Sequence, residues 1–340
     1  MSGPTDTAAP PRARVLLTGP VDAQTWQDLA ALAQVVLAPD AGADTLRRCI
    51  ADADVLVVRS ALPADLLDFA PRLRGIVRHG VGVDMIPLEA ANRRGIAVAN
   101  VPGSNRHAVA EHVMGAIGVL RRHSLRMDTV LRSRGWDASR AFAEGAAELH
   151  GHTLGIVGLG AIGSRVAEIA HHGYGMAVLG HQRRLADLPA FVEGTALDSL
   201  LARSDAVVLA LPLTAQTRGL IDARRIALMR PQAILVNVSR GALVDEAALV
   251  DALRTHRIAG AALDVFETQP LPQGHALCGL DNVLLTPHAA GLTVDSMRRM
   301  GAGTVLEVGR LLNGMLPVNC VNRDSLAAQP MAASSTLSRA

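Results

Sequence analysis

One stretch decides the fold: Thr153-Leu154-Gly155-Ile156-Val157-Gly158-Leu159-Gly160-Ala161-Ile162-Gly163. The run Thr153–Val157 predicts a short buried strand, and the G-x-G-x-x-G sequence at its end predicts a tight turn. Apolar residues at helical spacing follow between Ser164 and His172, and a second apolar run covers Met176–Leu179. Strand, glycine turn, helix and strand within about 30 residues are typical of a βαβ unit that binds a dinucleotide.

Each glycine of this turn has its own physical role. Gly158 permits the tight turn, Gly160 lets the backbone approach a pyrophosphate, and Gly163 lets the helix pack closely on the strand. The N-terminus of the helix then offers unpaired N–H groups and a partial positive charge to the phosphates. The alternative interpretation is a glycine-rich turn in an α/β fold that binds no nucleotide.

The composition is that of a globular protein of one or two domains. The chain has 340 residues, of which 49% are hydrophobic and only 2% aromatic, so the core must be aliphatic. A formal net charge of +2 gives no electrostatic argument for nucleic acid or a membrane as a partner. The sequence contains no lysine, which excludes a lysine nucleophile or Schiff base.

The cysteines and the chain ends bear on location. Cys49, Cys278 and Cys320 are odd in number and widely spaced, which predicts neither a disulfide framework nor a metal site and indicates a reducing compartment, the cytoplasm. No signal peptide and no membrane-spanning run of about 18 residues is recognisable. Residues 1–11 and 325–340 are predicted to be disordered tails.

Along the rest of the chain, short apolar runs alternate with helical periods, which predicts parallel sheets covered by helices. The first series ends at Ala99, and Asn100–Asn105 is a candidate linker. A long helix is predicted over 106–132, followed by a polar, irregular segment over 133–150. Alternation resumes at the glycine turn, and a last helix over 293–312 is predicted to return to the first domain.

Four polar side chains stand just after predicted strands of the second series, where open α/β sheets bind their ligands: Arg240, Asp264, Gln269 and His288. Reduction of a 2-keto acid needs an arginine that binds the carboxylate or carbonyl oxygen through charge-assisted hydrogen bonds. It also needs a histidine that donates the proton accompanying hydride delivery. A nicotinamide cofactor would carry the hydride itself.

Several motifs together resemble those of the D-isomer-specific 2-hydroxyacid dehydrogenase family, which includes glyoxylate/hydroxypyruvate reductases and phosphoglycerate dehydrogenases. In chain order they are Gly80-Val81-Gly82-Val83-Asp84, Val109-Ala110-Glu111-His112, Gly158–Gly163, Asn237-Val238-Ser239-Arg240-Gly241, Asp264-Val265-Phe266 and Thr286-Pro287-His288. The match extends from about Arg74 to Met300.

The resemblance implies an α/β fold with a Rossmann dinucleotide-binding domain at 105–293 and a smaller, flavodoxin-like substrate domain. The substrate domain would be discontinuous, formed by 12–104 and 294–324. The resemblance further implies that Arg240 binds the substrate, that His288 is the acid/base, and that the Val81 and Gly82 backbone N–H groups hold the substrate carboxylate. A homodimer formed through the long helix and the segment after it is usual in the family.

The same resemblance implies contacts with the cofactor from the glycine turn, from the end of the second Rossmann strand and from later strand ends. These residues are Gly158, Gly160, Ala161, Ile162, Gly163, Gln182, Arg183, Arg184, Pro212, Thr217, Val238, Ser239, Asp264, His288, Ala290 and Gly291. No metal site is expected, because His107, Glu111 and His112 do not have the spacing of a known zinc motif.

Gln182 departs from the family pattern at the end of the second Rossmann strand. The family usually has an aspartate there, which binds the ribose hydroxyls of the adenosine. An acid would repel a 2′-phosphate, whereas a neutral residue followed by Arg183 and Arg184 would accept it. The sequence therefore predicts a preference for NADP(H) over NAD(H), and the alternative is a solvated arginine pair with NAD bound less tightly.

Gln269 departs from the pattern Asp-Val-Phe-x-x-Glu-Pro, because glutamine replaces the acid that normally partners the histidine. A carboxylate there would stabilise the imidazolium and raise the histidine pKa, whereas a neutral amide orients the ring without supplying charge. Three interpretations stay open: a reductase of small 2-keto acids, a formate dehydrogenase-like reaction, or altered or lost catalysis. The last includes a nucleotide-sensing, corepressor-like protein.

Overall fold

The computed structural model describes residues 12–328, in which strands and helices alternate along the chain. The strands are β1 (Arg14–Leu17), β2 (Gln34–Leu37), β3 (Val55–Val58), β4 (Gly75–Arg78), β5 (Ala97–Ala99), β6 (Thr153–Val157), β7 (Ala177–His181), β8 (Val192–Gly194), β9 (Ala206–Leu209), β10 (Ile234–Asn237), β11 (Gly260–Leu263) and β12 (Val283–Leu285). The helices are α1 (Ala23–Leu32), α2 (Ala43–Ile50), α3 (Leu88–Arg93), α4 (Arg106–Arg121), α5 (Ser124–Arg134), α6 (Trp136–Arg140), α7 (Ala161–Glu168), α8 (Leu197–Arg203), α9 (Ala223–Leu228), α10 (Glu246–Arg254), α11 (Val294–Leu312) and α12 (Arg323–Ala327).

The described residues divide into two compact units, one formed by 12–105 with 294–328 and the other by 106–293. The boundaries predicted from the sequence lie between residues 104 and 105 and between residues 293 and 294. No helix among the described residues is long and apolar enough to cross a membrane. The predicted tail 1–11 lies outside the described residues, as does 329–340.

The first unit is built on a parallel five-stranded sheet in the order β2-β1-β3-β4-β5, which is the flavodoxin-like order. Side chains alternate between the two faces of a strand, so each strand supplies two cores. In β1, Leu16 packs into one apolar cluster, whereas Val15 and Leu17 pack into the other. Both faces are buried, which explains why the strands read as continuous aliphatic runs.

The second unit contains a parallel seven-stranded sheet in the order β12-β11-β10-β9-β6-β7-β8. Numbered from β6, this is the 3-2-1-4-5-6 order of a Rossmann fold with one further strand, and the predicted fold class is confirmed. Again, β6 serves both cores, with Leu154 and Ile156 in one cluster and Val157 in the other. Gly155 is required in β6 because a Cβ there would lie 2.3 Å from Ser204 Oγ.

The predicted long helix over 106–132 is wrong as a single element, because it breaks between α4 and α5. His123 adopts a left-handed conformation with φ 52°, and its Nε2 lies 3.2 Å from the Gly145 carbonyl oxygen. The Ala147 N–H also donates to the Arg121 carbonyl at 2.9 Å. These long-range bonds satisfy the helix end and turn the chain, and neither partner is close in sequence.

Three further elements differ from expectation. The segment over 133–150, predicted to be irregular, contains α6 and a 3-10 turn at Ala141–Gly145. Strand β8 was not predicted. The tail prediction is wrong for Ser325–Ala327, which belong to α12. This helix is anchored because the Asn322 side chain accepts from Val98 N at 2.9 Å and donates to Ile96 O at 3.0 Å, and Leu326 packs on an apolar cluster.

Candidate functional site

The glycine turn joins β6 to α7 and has the geometry that a pyrophosphate needs. Gly158 has φ +93°, and a Cβ on Gly163 would lie 2.0 Å from the Gly158 carbonyl oxygen, so both positions require glycine. Gly160 is different, because no heavy atom lies within 4 Å of its would-be Cβ. That open space adjoins the start of α7, which begins at Ala161 without a side-chain cap. The turn therefore fits the phosphates of a dinucleotide.

The segment after β7 carries Gln182, Arg183 and Arg184. Gln182 follows the last residue of the strand and its amide Nε2 donates to the Arg184 carbonyl at 2.8 Å. The Arg184 guanidinium pairs with Asp187 at 3.0 Å, and both side chains are exposed. Arg183 is exposed as well. The end of the second Rossmann strand thus presents a neutral amide and two arginines.

Pro212 and Thr217 lie in the loop after β9. The Thr217 hydroxyl donates to the Pro212 carbonyl at 2.9 Å and accepts from Thr214 N at 2.7 Å. The neighbouring loop is tied to this one, because the Ser239 hydroxyl donates to the Leu211 carbonyl. Three of the residues predicted to contact the cofactor therefore stand in loops that are hydrogen-bonded together.

Arg240 lies in the loop after β10, and the loop is held by Asn237, which the sequence analysis named within a motif but gave no role. The Asn237 side chain is buried, donates to the Arg240 carbonyl at 2.9 Å and accepts from Ser239 N at 3.1 Å. The Arg240 guanidinium donates to the Ser239 carbonyl at 2.7 Å. A Cβ on Gly241 would lie 1.9 Å from the Phe266 carbonyl carbon, so this glycine lets the loops after β10 and β11 touch.

Asp264, directly after β11, organises the loop that carries His288. Its carboxylate is buried and accepts from the Thr286 hydroxyl at 2.6 Å, from Ala289 N at 2.7 Å and from Ala290 N at 3.0 Å. The His288 backbone N–H donates to the Asp264 carbonyl at 2.8 Å. One buried acid thus fixes both sides of the histidine.

His288 meets Gln269 side chain to side chain. Its Nδ1 lies 3.0 Å from Gln269 Oε1, while Gln269 Nε2 points toward the Phe266 carbonyl at 3.4 Å. Because an amide oxygen only accepts, Nδ1 is the nitrogen that carries hydrogen in this contact. His288 itself is exposed and has φ 54°. The structure therefore brings together the histidine and the residue that stands in for the expected acid.

In the first unit, Val81 and Gly82 follow β4 in a loop held by side chains. Gly80 has φ +146°, the Asn100 side chain donates to the Val81 carbonyl at 2.7 Å, and Arg78 Nε donates to the Gly82 carbonyl at 3.1 Å. These bonds fix the orientation of the peptide planes. The assignment of the Val81 and Gly82 N–H groups to a substrate carboxylate remains a prediction.

His79, next to this loop, was missed by the sequence analysis. Its side chain is 1% exposed, and its Nδ1 lies 2.9 Å from Thr304 Oγ1, whose hydroxyl donates to the Met300 carbonyl. Nδ1 is therefore the donor, and the buried Nε2 has no hydrogen-bond partner. Burial, with the nearby charges of Arg59 and Arg78, lowers the pKa of His79 to about 4. The signal was its position directly after a buried strand.

Among residues 12–328, no cluster of three or more His, Cys, Asp or Glu side chains could hold a metal ion.

Comparison with known proteins gives consistent matches. Residues 114–290 match the family described as D-isomer specific 2-hydroxyacid dehydrogenase, NAD binding domain. A glyoxylate reductase from Aeropyrum pernix is 41% identical over 281 residues, covering 81% of this chain and 84% of the relative. A D-3-phosphoglycerate dehydrogenase from Methanocaldococcus jannaschii is 36% identical over 324 residues, or 94% of this chain. This chain spans 61% of the length of that relative.

Solved structures are also similar. One is an NADPH-dependent glyoxylate/hydroxypyruvate reductase from Sinorhizobium meliloti in complex with NADP and malonate, with a TM-score of 0.81 and 30% identity over 91% of this chain and 97% of the other. Another is an acyclic imino acid reductase in complex with NADPH and D-Arg, with a TM-score of 0.82 and 25% identity over 91% of this chain and 99% of the other.

Proposed function

The chain belongs to the D-isomer specific 2-hydroxyacid dehydrogenase family, and on that premise we propose that it transfers hydride between NADP(H), or less readily NAD(H), and a small 2-keto or 2-hydroxy acid. The observation that carries the proposal is the 3.0 Å contact between His288 Nδ1 and Gln269 Oε1. This contact stands among the loops that follow the carboxyl ends of the Rossmann strands, where Arg240 and the glycine turn also stand.

His288 is proposed as the acid/base. Since Gln269 accepts from Nδ1, Nε2 is the ring nitrogen that gives a proton to the substrate oxygen during reduction and takes one back during oxidation. The nicotinamide supplies the hydride when it is bound. Gln269 holds the ring orientation that this exchange needs, but as a neutral amide it adds no charge that would favour the imidazolium.

Arg240 is proposed to bind the 2-keto acid through its guanidinium group. A guanidinium matches a carboxylate with two parallel, charge-assisted hydrogen bonds. Support comes from the way Asn237 and the Ser239 carbonyl fix the loop and the head group, which reduces the entropy lost when substrate binds. The backbone N–H groups of Val81 and Gly82 are proposed as further carboxylate contacts, as in the family.

A panel of glyoxylate, hydroxypyruvate, pyruvate and bulkier 2-keto acids, assayed with NADPH and with NADH, tests the activity and identifies the substrate. We expect turnover with a small 2-keto acid. The variant His288→Gln should lower kcat by about 100-fold or more, the usual contribution of a positioned acid. Tight NADPH binding without turnover of any substrate would contradict the proposal and favour a nucleotide-sensing protein.

Preference for NADP(H) is proposed from the segment after β7. Gln182 has no charge that would repel a 2′-phosphate, and Arg183 and Arg184 follow it at an exposed position. Arg184 can exchange its pairing with Asp187 for a phosphate at little cost, because an exposed ion pair contributes little stability. The neighbour from Sinorhizobium meliloti is likewise named NADPH-dependent.

The variant Gln182→Asp tests this preference. We expect it to reduce the NADPH-to-NADH ratio of kcat/KM by about tenfold, corresponding to about 1.4 kcal/mol, because the new carboxylate repels the 2′-phosphate. Gln182→Asn, which stays neutral, is the matched control and should keep most of the ratio. A wild-type enzyme that prefers NADH would end the proposal.

A homodimer is proposed from the family resemblance and from the surface of α5 and α6. Helix α5 has no buried residue, and two apolar side chains are exposed there, Leu131 in α5 and Trp136 at the start of α6. Burial of such side chains against a second copy would remove this apolar area from water. Sedimentation of the wild type and of Trp136→Ser tests it: we expect a dimer that the substitution weakens. The cytoplasmic location inferred from the cysteines remains a prediction.

A further inference from the structure

A cavity of about 310 Å³ lies in the second unit, at the amino ends of its strands. Among its lining residues, Ile234 is the first residue of β10, Val283 is the first of β12, and Ala259 directly precedes β11. The glycine turn and the loops of Arg240 and His288 follow the carboxyl ends of the same parallel strands. The cavity is therefore at the opposite edge of the sheet from the proposed active site.

Arg121, the last residue of α4, is a buried cation in the wall of this cavity. Its side chain is 7% exposed, and its Nη2 donates to the Glu148 carbonyl at 3.3 Å. Its buried Nε has no hydrogen-bond partner. Because Arg121 lines the cavity, its positive charge would attract an anion bound there. Because arginine keeps its proton, the site lacks an anion rather than a neutral group.

Two other charged side chains line the cavity, Arg126 and Asp281, and the imidazoles of His123 and His256 line it as well. Asp281 is already paired with Arg126 at 2.8 Å, and the carboxylate that acts on Arg121, Asp205, is not among the residues that line the cavity. Helix α5 also starts there without a side-chain cap, and its first turn presents a partial positive charge.

Most of the remaining wall is aliphatic, with two amide side chains, Gln232 and Asn282, beside Val119, Leu120, Leu125, Ala147, Ile234 and Val283. Inorganic phosphate or sulfate would leave these surfaces unused and would be poorly matched to them. The volume is at the lower end of the range for small-molecule sites, about 300 to 1,000 Å³. The occupant that fits both the charge and the walls is a carboxylate on a short aliphatic chain.

We propose that this cavity binds a short-chain aliphatic monocarboxylate, with the carboxylate on Arg121 and the alkyl chain between α4, α5 and the starts of β10 and β12. The bound acid would brace the strands whose other ends carry Arg240 and His288. The cavity is thus a ligand site separate from the 2-keto acid site.

Calorimetric titration of the full chain with hexanoate tests the proposal, with hexanamide and inorganic phosphate as matched probes. Hexanamide has nearly the same shape without the charge, and phosphate has the charge without the alkyl chain. We expect saturable binding of hexanoate, and binding of the two other probes that is at least about tenfold weaker. In a separate thermal unfolding experiment, hexanoate should raise the Tm as its concentration increases. Equal binding of hexanoate and hexanamide would overturn the proposal.

Variants separate this cavity from the active site, where a carboxylate could also bind. Arg121→Gln should weaken hexanoate binding by at least about tenfold, as expected for loss of a charge-assisted bond, whereas Arg240→Gln should leave it unchanged. If Arg121→Gln does not fold, Ala147→Leu, which fills the cavity and keeps its charges, should abolish binding. Binding that survives both Arg121→Gln and Ala147→Leu would overturn the proposal, and its loss in Arg240→Gln would assign hexanoate to the active site.

Discussion

Removing the imidazole of His79 should change how stability depends on pH. In the folded protein this ring is buried, its Nε2 has no partner, and its pKa is lowered to about 4 by burial and by Arg59 and Arg78, with Asp22 opposing them. In the unfolded chain the pKa returns to 6.5. Between these values the unfolded chain binds more protons than the folded protein, so acid favours unfolding.

The sign and size follow from those two values. Because the pKa of His79 is lower in the folded protein, the contribution of His79 to the free energy of unfolding is full above pH 6.5. This contribution is lost as the pH falls toward 4. One pKa unit is worth about 1.4 kcal/mol, so His79 should account for about 3 kcal/mol of lost stability across this window. The variant His79→Asn keeps an amide donor for Thr304 but cannot titrate. This variant should lower the free energy of unfolding at neutral pH, because the volume of the ring is lost. It should also make the free energy of unfolding depend less steeply on pH between 4 and 6.5.

Urea denaturation at intervals from pH 4.5 to pH 7.5 measures both effects, since the free energy of unfolding is read at each pH. The exposed His150→Asn is the matched control and should follow the wild-type curve. A His79→Asn curve that runs parallel to that of the wild type, merely displaced downward, would refute the reasoning. It would mean that the ring takes up its proton in the folded state without penalty.

Three further substitutions test the site. Gln269→Glu places a carboxylate where Oε1 now lies 3.0 Å from His288 Nδ1, so the basic limb of the pH profile for reduction should move upward, and an unchanged profile would exclude the positioning role. Asp264→Asn leaves one backbone N–H facing an amide N–H, which should cost about 2 kcal/mol by urea denaturation and lower kcat. Gly163→Ala, whose Cβ would lie 2.0 Å from the Gly158 carbonyl oxygen, should weaken NADPH binding measured by fluorescence titration, and undiminished affinity would count against the phosphate role of the turn.

The fold class and the family could be predicted from the sequence, because the patterns that indicate them lie within short stretches of the chain. The glycine turn needs only the spacing of Gly158, Gly160 and Gly163, and the alternation of apolar runs and helical periods predicts parallel α/β sheets. The fold class and the family were accordingly predicted correctly. The roles of Arg240, Gln269 and His288 in catalysis, and the preference for NADP(H), stay predictions.

Features that depend on contacts between distant residues could not be read from the sequence. The break between α4 and α5 depends on bonds from His123 and Arg121 to residues more than 20 positions away. The buried state of His79 depends on Thr304, 225 residues further along the chain. From the local pattern, His123 and Arg121 look like ordinary helical residues and His79 like an ordinary loop residue. What distinguishes them is the environment that packing creates around them.

The glycine turn and the polar residues that follow the strands could be recognised without the fold, because hydrophobic periodicity and glycine spacing depend on residues close together in the chain. In contrast, the folded protein was needed to show that Asp264 accepts hydrogen bonds from the His288 loop and that Gln269 contacts the imidazole through its oxygen. It also placed Arg121, whose buried Nε has no hydrogen-bond partner, at the far edge of the sheet. Burial and hydrogen-bond partners set the chemistry of a polar group, and both are assigned only when the chain has folded.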